Sequence, residues 1–541
     1  MHSPKSFTAL LALHSVKRGD HVAYYDRGLP LTYRELHDQS MRLASSLAAR
    51  GVNEGHRIAL WLPNCHAWLV TFLACAHLGA TVFAVNTRFR EREVEDILDR
   101  GKIDWLVLWP DFKGIAFAEI LSGVSKGCLE RLHGVVCYTE GAESAAGWLR
   151  GKPSCDFHEL LAQREAADLN PQQDLADKGV LTFTTSGTTA LPKFVLHRQR
   201  TLIEHGLTIA AAFGYDEQAK ILVSTPFCGA FGFATLIGGL ASGASLISDP
   251  IFEPAAAAAS VFTYGATHTF ANNESILKMM DAAGDAADFS SVRVFGFASF
   301  SPALGDLVAR ATNRNLTLCG LYGSSELNAL VAAQPFTGQD ANPDLQYLPG
   351  GRLVHPEARV RARNPETGAV LPHRQSGELE IRAPSTMVGY LDQRDATANA
   401  FTADGYFRTG DLGFTVSDRH FVFEARMGDS LRLSGFLVNP AEIEAIVDTL
   451  PGVSASQVVG ASMGGRLVPF AFVVLQPGAE ADEQKWREIC RKRMAGFKIP
   501  VGFRIVDAFP TVISANAPKI QRGKLRELAD EILKSATEPA K

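Results

Sequence analysis

The chain has 541 residues, too many for one hydrophobic core, so two or more domains are expected. Its composition, 46% hydrophobic and 21% charged, is that of a globular protein rather than a disordered or fibrous one. A formal net charge of -5 gives no reason to expect a nucleic-acid partner.

The N-terminal apolar run, residues 7–13, is short. His14, Lys17 and Arg18 follow it rather than a small-residue cleavage site, so it does not read as a signal peptide. No uncharged apolar stretch is long enough to span a bilayer. Leu31 and Thr32 read as a strand end and a helix cap, with Glu35 at the third helical position. That helix runs towards Arg50 and stops at Gly51. Residues 57–62 read as a buried strand, 66–79 as an apolar helix and 81–85 as a strand. Strand–helix–strand alternation implies a mostly parallel sheet with helices on both faces. His66 and His77 fall within this core pattern and are assigned no chemistry. Residues 140–178 are polar and irregular and read as a surface excursion.

The strand-like run Val180-Leu181-Thr182-Phe183 leads into Thr184-Thr185-Ser186-Gly187-Thr188-Thr189-Ala190-Leu191-Pro192-Lys193. A loop rich in hydroxyls and glycine offers O–H and N–H donors to an anion, and a Lys adds charge, which suits polyphosphate. It is not a Walker A loop, because Pro192 stands where that motif needs its second Gly. A Thr/Ser/Gly cluster alone would read as a polar turn; the Pro-Lys pair and the partners further along reverse that preference.

A strand at 221–225 ends at Pro226. Small and aromatic residues follow: Phe227, Cys228, Gly229, Ala230, Phe231, Gly232 and Phe233. Such a segment after a strand end either lines an apolar ligand pocket or packs in the core. Residues 255–259 read as helix, 292–298 as a strand reaching Ala298, and a helix starts near Pro302. A strand at 316–321 runs into Tyr322-Gly323-Ser324-Ser325-Glu326. Open α/β sheets bind ligands at the carboxyl ends of their strands. Tyr322 has the ring to stack on a base, and Glu326 the carboxylate to hold Mg²⁺.

From about residue 351 the segments shorten (358–362, 377–382 and 420–424), as in a smaller β-rich subdomain. Within it Asp411, in Tyr406-Phe407-Arg408-Thr409-Gly410-Asp411, reads as a turn residue able to accept bonds from both hydroxyls of a ribose. Arg426-Met427-Gly428-Asp429-Ser430 reads as a linker. A small α+β unit follows, with a helix starting at Asn439-Pro440-Ala441-Glu442, strands at 457–460 and 469–475, and a basic helix through Trp486 and Arg493. The cations of residues 518–526 read, by themselves, as a solvated face. The eight Cys are scattered without metal spacing and read as reduced thiols of a cytoplasmic protein.

Five blocks in order, 185–193, 322–326, 406–411, 426–442 and 518–526, resemble the adenylate-forming superfamily of acyl-CoA synthetases, luciferases and peptide-synthetase adenylation domains. Gly377-Glu378-Leu379 with Gly389-Tyr390 adds a sixth. The resemblance implies an α/β fold: a large N-terminal domain of doubly wound sheets with a β-rich subdomain, and a small mobile α+β C-terminal domain. The boundaries expected are 1–427 and 428–541, hinged near Gly428. It implies an AMP-forming carboxylic acid–CoA ligase using ATP, Mg²⁺ and CoA. Thr185, Ser186, Gly187, Thr188, Thr189 and Lys193 would hold phosphates. Tyr322, Gly323, Ser324 and Ser325 would line the adenine side, with Glu326 on the metal. Asp411 and Arg426 would grip the ribose. Lys519, just before Ile520-Gln521-Arg522, would be the catalytic lysine, with Glu326 and Thr185 beside it in catalysis. The small domain would rotate about the linker and deliver Gly435 to a thiol tunnel. Cys228, Gly229, Ala230, Phe231, Phe233, Ala298 and Phe300 are uncharged, which favours an apolar acid, fatty or aryl. The chain departs from the family pattern at Ala190, Ala425, Gly428 and Gly229. Two other readings remain: an adenylating enzyme that loads an acyl carrier protein, and a catalytically silent acyl- or nucleotide-binding homologue. Monomer and dimer are both compatible with the sequence.

Overall fold

The computed structural model describes residues 4–140, 149, 151–163, 174–185, 192–298, 305–337, 341–427, 431–433, 436–463, 466–494, 496–512 and 519–537. It divides into two compact units. The first comprises Met1–Gly187, Leu191–Arg359 and Arg382–Phe407; the second comprises Thr188–Ala190, Val360–Ile381 and Arg408–Lys541.

The first unit is a layered α/β body. One sheet orders its strands Gly389–Tyr390, Phe194–Arg198, Gly179–Thr184, Thr81–Ala84, Arg57–Trp61, Trp105–Leu108, Gly134–Cys137 and Ser154–Asp156. From Gly179–Thr184 to Ser154–Asp156 the neighbours run parallel. Phe194–Arg198 and Gly389–Tyr390 are added antiparallel at the other end. A second run of strands orders Leu29–Thr32, Val22–Asp26, Ser245–Ser248, Lys220–Leu222, His268–Asn272, Val294–Ala298, Leu318–Tyr322, Ala332–Ala333 and Gly350–Leu353. The doubly wound α/β architecture expected from the alternating pattern is present.

Local signals explain several boundaries. Thr32 and Glu35 form a complete capping box on helix Tyr33–Ala48. Helix His66–Leu78 ends at Gly79, whose φ of 69° favours glycine. This helix is buried from Ala67 to Leu78, and so belongs inside the body. His77 is locked there between the Thr8 hydroxyl (2.7 Å) and the Ser40 hydroxyl (3.0 Å), and burial lowers its pKa to about 3. His66 sits 2.5 Å from the Gln39 amide oxygen. Both histidines are structural, as the core pattern suggested.

Two segments differ from the sequence reading. The excursion at 140–178 contains a strand, Ser154–Asp156, at the sheet edge, and a helix, Phe157–Ala162, capped by Asp156. Phe157 and Leu160 of that helix are buried. The pattern was hidden because strand and helix together span only nine residues. The segment after Pro226 is helical from Ala230 to Ser242 and buried through Ala241. Its glycines argue against a helix by propensity, but they serve close approach. A Cβ on Gly238 would stand 2.8 Å from Ile209 Cγ2, and one on Gly206, in the neighbouring helix Gln199–Phe213, 2.6 Å from the Ile237 carbonyl. Phe233 is core: it meets Phe72, Trp68 and Phe183 at ring separations of 5.1, 6.1 and 5.7 Å.

In the second unit, strands Arg359–Arg363, Gly377–Arg382, Phe407–Ser417 and His420–Arg426 stand in that order. Asp411 lies inside the eleven-residue strand Phe407–Ser417 rather than at a turn, directly after Gly410, whose φ is 67°. Further along, strands Val453–Met463, Arg466–Leu475 and Phe503–Ile505 form a three-stranded sheet, with helices Pro440–Val447, Glu483–Arg493 and Arg522–Thr537. The charge run at 518–526 is not simply a solvated face. Arg522 reaches both oxygens of Glu444, at 2.8 and 3.1 Å, and Glu444 is buried and also accepts the Val458 N–H.

Candidate active site

The hydroxyl-rich loop leaves strand Gly179–Thr184 and returns into Phe194–Arg198, which pairs with it antiparallel. Its stem is closed by reciprocal bonds: the Thr185 N–H donates to the Lys193 carbonyl at 3.0 Å, and the Lys193 N–H to the Thr185 hydroxyl at 3.2 Å. Ser186, Gly187, Thr188, Thr189 and Ala190 lie outside the described residues. Arg100 braces the returning side. Its guanidinium is held by Asp96 at 2.6 Å, reaches the Pro192 carbonyl and lies 4.8 Å over the Phe194 ring. The loop thus starts and ends on fixed points, as an anion cradle requires.

Tyr322 closes strand Leu318–Tyr322 and is buried. Gly323 follows where a Cβ would stand 2.5 Å from Ala329 Cα, so the chain folds back tightly here. Asn328, Ala329 and Leu330 all adopt positive φ, at 60°, 49° and 38°. Consecutive left-handed non-glycine residues are strained, and such strain is held only where neighbours fix the backbone. Here the Ala329 N–H donates to the Ser324 carbonyl at 2.8 Å and the Val331 N–H to the Tyr322 carbonyl at 3.1 Å. His205 holds the Ala329 carbonyl at 2.9 Å.

Glu326 is positioned by its neighbours on three sides. His197 Nε2 lies 2.8 Å from the Ser325 carbonyl. Burial lowers the His197 pKa to about 4, so at neutral pH the ring is uncharged, and a carbonyl partner places the remaining proton on Nε2. The Met387 N–H donates to the Glu326 carbonyl at 2.7 Å. The Tyr390 hydroxyl donates to Glu326 Oε1 at 3.0 Å. Lys193 Nζ in turn lies 4.4 Å from the Tyr390 ring centroid. One tyrosine therefore joins the lysine of the hydroxyl-rich loop to the acid of a block more than a hundred residues away. A half-buried carboxylate near a stem of Thr and Lys is a hard-oxygen donor, which suits Mg²⁺.

The strand of Tyr390 explains the geometry. Gly389 and Tyr390 pair with Leu196 and Val195, which carries Tyr390 to the sheet position beside Lys193. The sequence marks Gly389-Tyr390 as part of a motif without giving the tyrosine a task. His197 carries no such signal, because a polar residue inside an apolar strand reads as an interruption.

The acyl-side candidates lie on two elements of the same unit. Gly229 is the N-cap of helix Ala230–Ser242, and Cys228, Ala230 and Phe231 around it are buried. Burial pushes the Cys228 thiol up to about 12, so it stays protonated and unreactive. Ala298 ends strand Val294–Ala298, and Phe300 lies outside the described residues.

In the second unit, Asp411 and Arg426 face each other across paired strands and form an ion pair at 2.9 Å. The Arg426 guanidinium also donates to the Thr409 carbonyl at 3.0 Å, and the Asp411 N–H to the Thr409 hydroxyl at 3.0 Å. The Asp411 side chain is buried while that of Arg426 is about half exposed. The Lys519 backbone pairs with Val512; its side chain lies outside the described residues, as do Gly428 and Gly435.

A family model described as AMP-binding enzyme matches residues 12–391, and one described as AMP-binding enzyme C-terminal domain matches residues 442–516. A methyl-dioxo-octahydroindenyl propanoyl:CoA ligase of Mycobacterium tuberculosis is 31% identical over 516 residues, covering 94% of this chain and 96% of that protein. The fatty acid–acyl-carrier-protein ligase ScoC of Streptomyces coeruleorubidus is 28% identical, covering 97% of each. The crystal structure of ATP-bound MatB from Rhodopseudomonas palustris superposes with a TM-score of 0.81 at 23% identity, covering 97% of this chain and 99% of that one.

Proposed function

Because the chain belongs to the AMP-binding enzyme family, we propose that it is an AMP-forming carboxylic acid–CoA ligase. Its substrates are ATP, CoA and an apolar acid, fatty or aryl. In the first step a carboxylate oxygen of the acid attacks the α-phosphorus of ATP. The bond to pyrophosphate breaks, and acyl-AMP remains. In the second step the CoA thiol attacks the acyl carbon and AMP leaves. The acid is already a nucleophile, so the protein supplies orientation and charge stabilisation rather than a Ser/His/Asp triad.

The observation that carries the reading is the Lys193–Tyr390–Glu326 array at the stem of the hydroxyl-rich loop. It unites three sequence blocks through one tyrosine and offers a cation and a carboxylate to one polyphosphate. In this reading Thr185, Ser186, Gly187, Thr188, Thr189 and Lys193 bind the β- and γ-phosphates. Tyr322 to Ser325 line the adenine, and Asp411 with Arg426 takes the ribose hydroxyls. Glu326 would hold Mg²⁺, which supplies neutralising charge to the phosphates. Lys519 stabilises the charge that builds at the α-phosphate. Cys228, Gly229, Phe231, Ala298 and Phe300 line the acyl side, where the absence of charge suits an apolar tail. We place the hinge between an N-terminal domain, 1–427, and a mobile C-terminal domain, 428–541, at Gly428, with Gly435 lining the thiol path. The eight free cysteines support a reducing, cytoplasmic location.

A second reading, transfer of the acyl group to a carrier-protein thiol, is favoured by the similarity to the ScoC ligase. One assay separates the two. ATP–pyrophosphate exchange is measured over a panel of carboxylic acids, followed by thioester formation with CoA and with a loaded carrier protein. Exchange with CoA thioester supports the leading reading, and thioester on the carrier alone supports the second. No exchange with any acid would sink both.

A further inference from the structure

We propose that Tyr390 is a positioning residue that keeps Lys193 and Glu326 apart and oriented, each on a neutral part of one side chain. This rests on the ligase reading for its ligand, MgATP. An ammonium and a carboxylate near one cradle attract each other strongly when partly desolvated. A direct ion pair would cancel the lysine's charge towards phosphate and occupy the carboxylate needed by the metal. Among the described ion pairs Lys193 and Glu326 do not meet. Instead the ammonium lies 4.4 Å over the Tyr390 ring, and the carboxylate accepts the phenol hydrogen at 3.0 Å. Neither contact neutralises a charge. The ring attracts the cation through its quadrupole, and the hydroxyl fixes one carboxylate oxygen.

Tyr390 is itself held in place. Its backbone pairs with Val195, two residues beyond Lys193, and its N–H donates to the Thr397 hydroxyl at 2.9 Å. Gly389 before it has no room for a side chain, since a Cβ would stand 2.7 Å from Thr397 Cγ2. The ring and hydroxyl therefore have separate tasks, and substitution can divide them. Tyr390→Phe keeps the surface under Lys193 and removes the hold on Glu326. Tyr390→Leu removes both and lets the two charges meet.

The test reads ATP binding by calorimetry, first in EDTA and then against increasing magnesium, so it does not depend on turnover. Tyr390→Phe should bind metal-free ATP like the wild type. It should need about tenfold more magnesium for half-maximal enhancement of binding. Tyr390→Leu should show the same magnesium shift and also bind metal-free ATP about fivefold more weakly. Adding Glu326→Gln to Tyr390→Leu should restore metal-free binding, because the ion pair can no longer form. The proposal is overturned if Tyr390→Phe leaves the magnesium requirement unchanged, or weakens metal-free binding as much as Tyr390→Leu does. Thermal melting of Tyr390→Phe, a conservative change, checks that the fold is intact. A wild type that binds ATP yet exchanges no pyrophosphate fails the ligase reading and leaves the binding test of Tyr390 standing on its own.

Discussion

Two lysines far apart in the chain divide the chemistry of the proposed reaction. Lys193 is fixed at the stem of the hydroxyl-rich loop, through its backbone bonds to Thr185 and its contact with Tyr390. Lys519 lies on a short two-stranded pairing in the second unit. If Lys519 acts only on the charge that builds at the α-phosphate, Lys519→Ala should lower adenylation by about 10²-fold or more. The same variant should still pass a supplied acyl-adenylate to CoA. Rapid-quench measurement of each half-reaction decides this, and equal loss of both would remove the assignment. Tyr322, Glu326 and Lys193 stood out in the sequence because their residue types announce stacking, metal binding and anion binding. His197 did not, since its work is to hold a backbone carbonyl.

Helix Ala230–Ser242 and helix Pro440–Val447 each carry a prediction. Gly229, the N-cap of the first, has φ -107° and ψ 146°, a conformation open to any residue. Gly229→Trp meets no backbone barrier and is expected to shorten the range of acids accepted, with thermal melting checking that the buried site accommodates the ring. A substrate profile that does not move would displace Gly229 from the acyl side. In the second helix the buried Glu444 carries the Arg522 guanidinium and the Val458 N–H. Burial raises the Glu444 pKa, while Arg522 and the Val458 amide oppose that rise. Glu444→Ala would leave a partly buried guanidinium and a buried N–H without their acceptor. The expected loss is about 3 kcal/mol in urea unfolding. A midpoint like that of the wild type would show that the pair contributes nothing net. Adenylation should fall in parallel, because Arg522 stands three residues after Lys519.

Across the whole molecule, buried histidines should dominate the response to mild acid. Burial lowers His14, His197, His205 and His268 to about 4 and His77 to about 3, from 6.5. Below pH 6.5 the unfolded chain takes up protons that these folded sites refuse. Stability is thus full above 6.5 and is lost progressively as pH falls towards 4. The urea midpoint is expected to drop between pH 7 and pH 5, before most carboxylates titrate. A flat profile over that range would mean that the histidines protonate within the fold.

Among the described residues no helix is long and apolar enough to cross a membrane. The alternating apolar runs determined the parallel α/β sheets, and the capping residues at Thr32 and Asn439 determined where helices begin, because both signals are local. The ordered motif blocks pointed to the family for the same reason, since each block is a short run with its own chemistry. Three features were decided only by tertiary structure. Gly238 inside Ala230–Ser242 stays helical because Ile209 of the neighbouring helix Gln199–Phe213 needs its space. Arg522 leaves solvent because Glu444 waits across the second unit. Tyr390 gains its task because antiparallel pairing sets it between Lys193 and Glu326. In each case the deciding partner lies far away in sequence, and proximity of that kind exists only once the chain has folded.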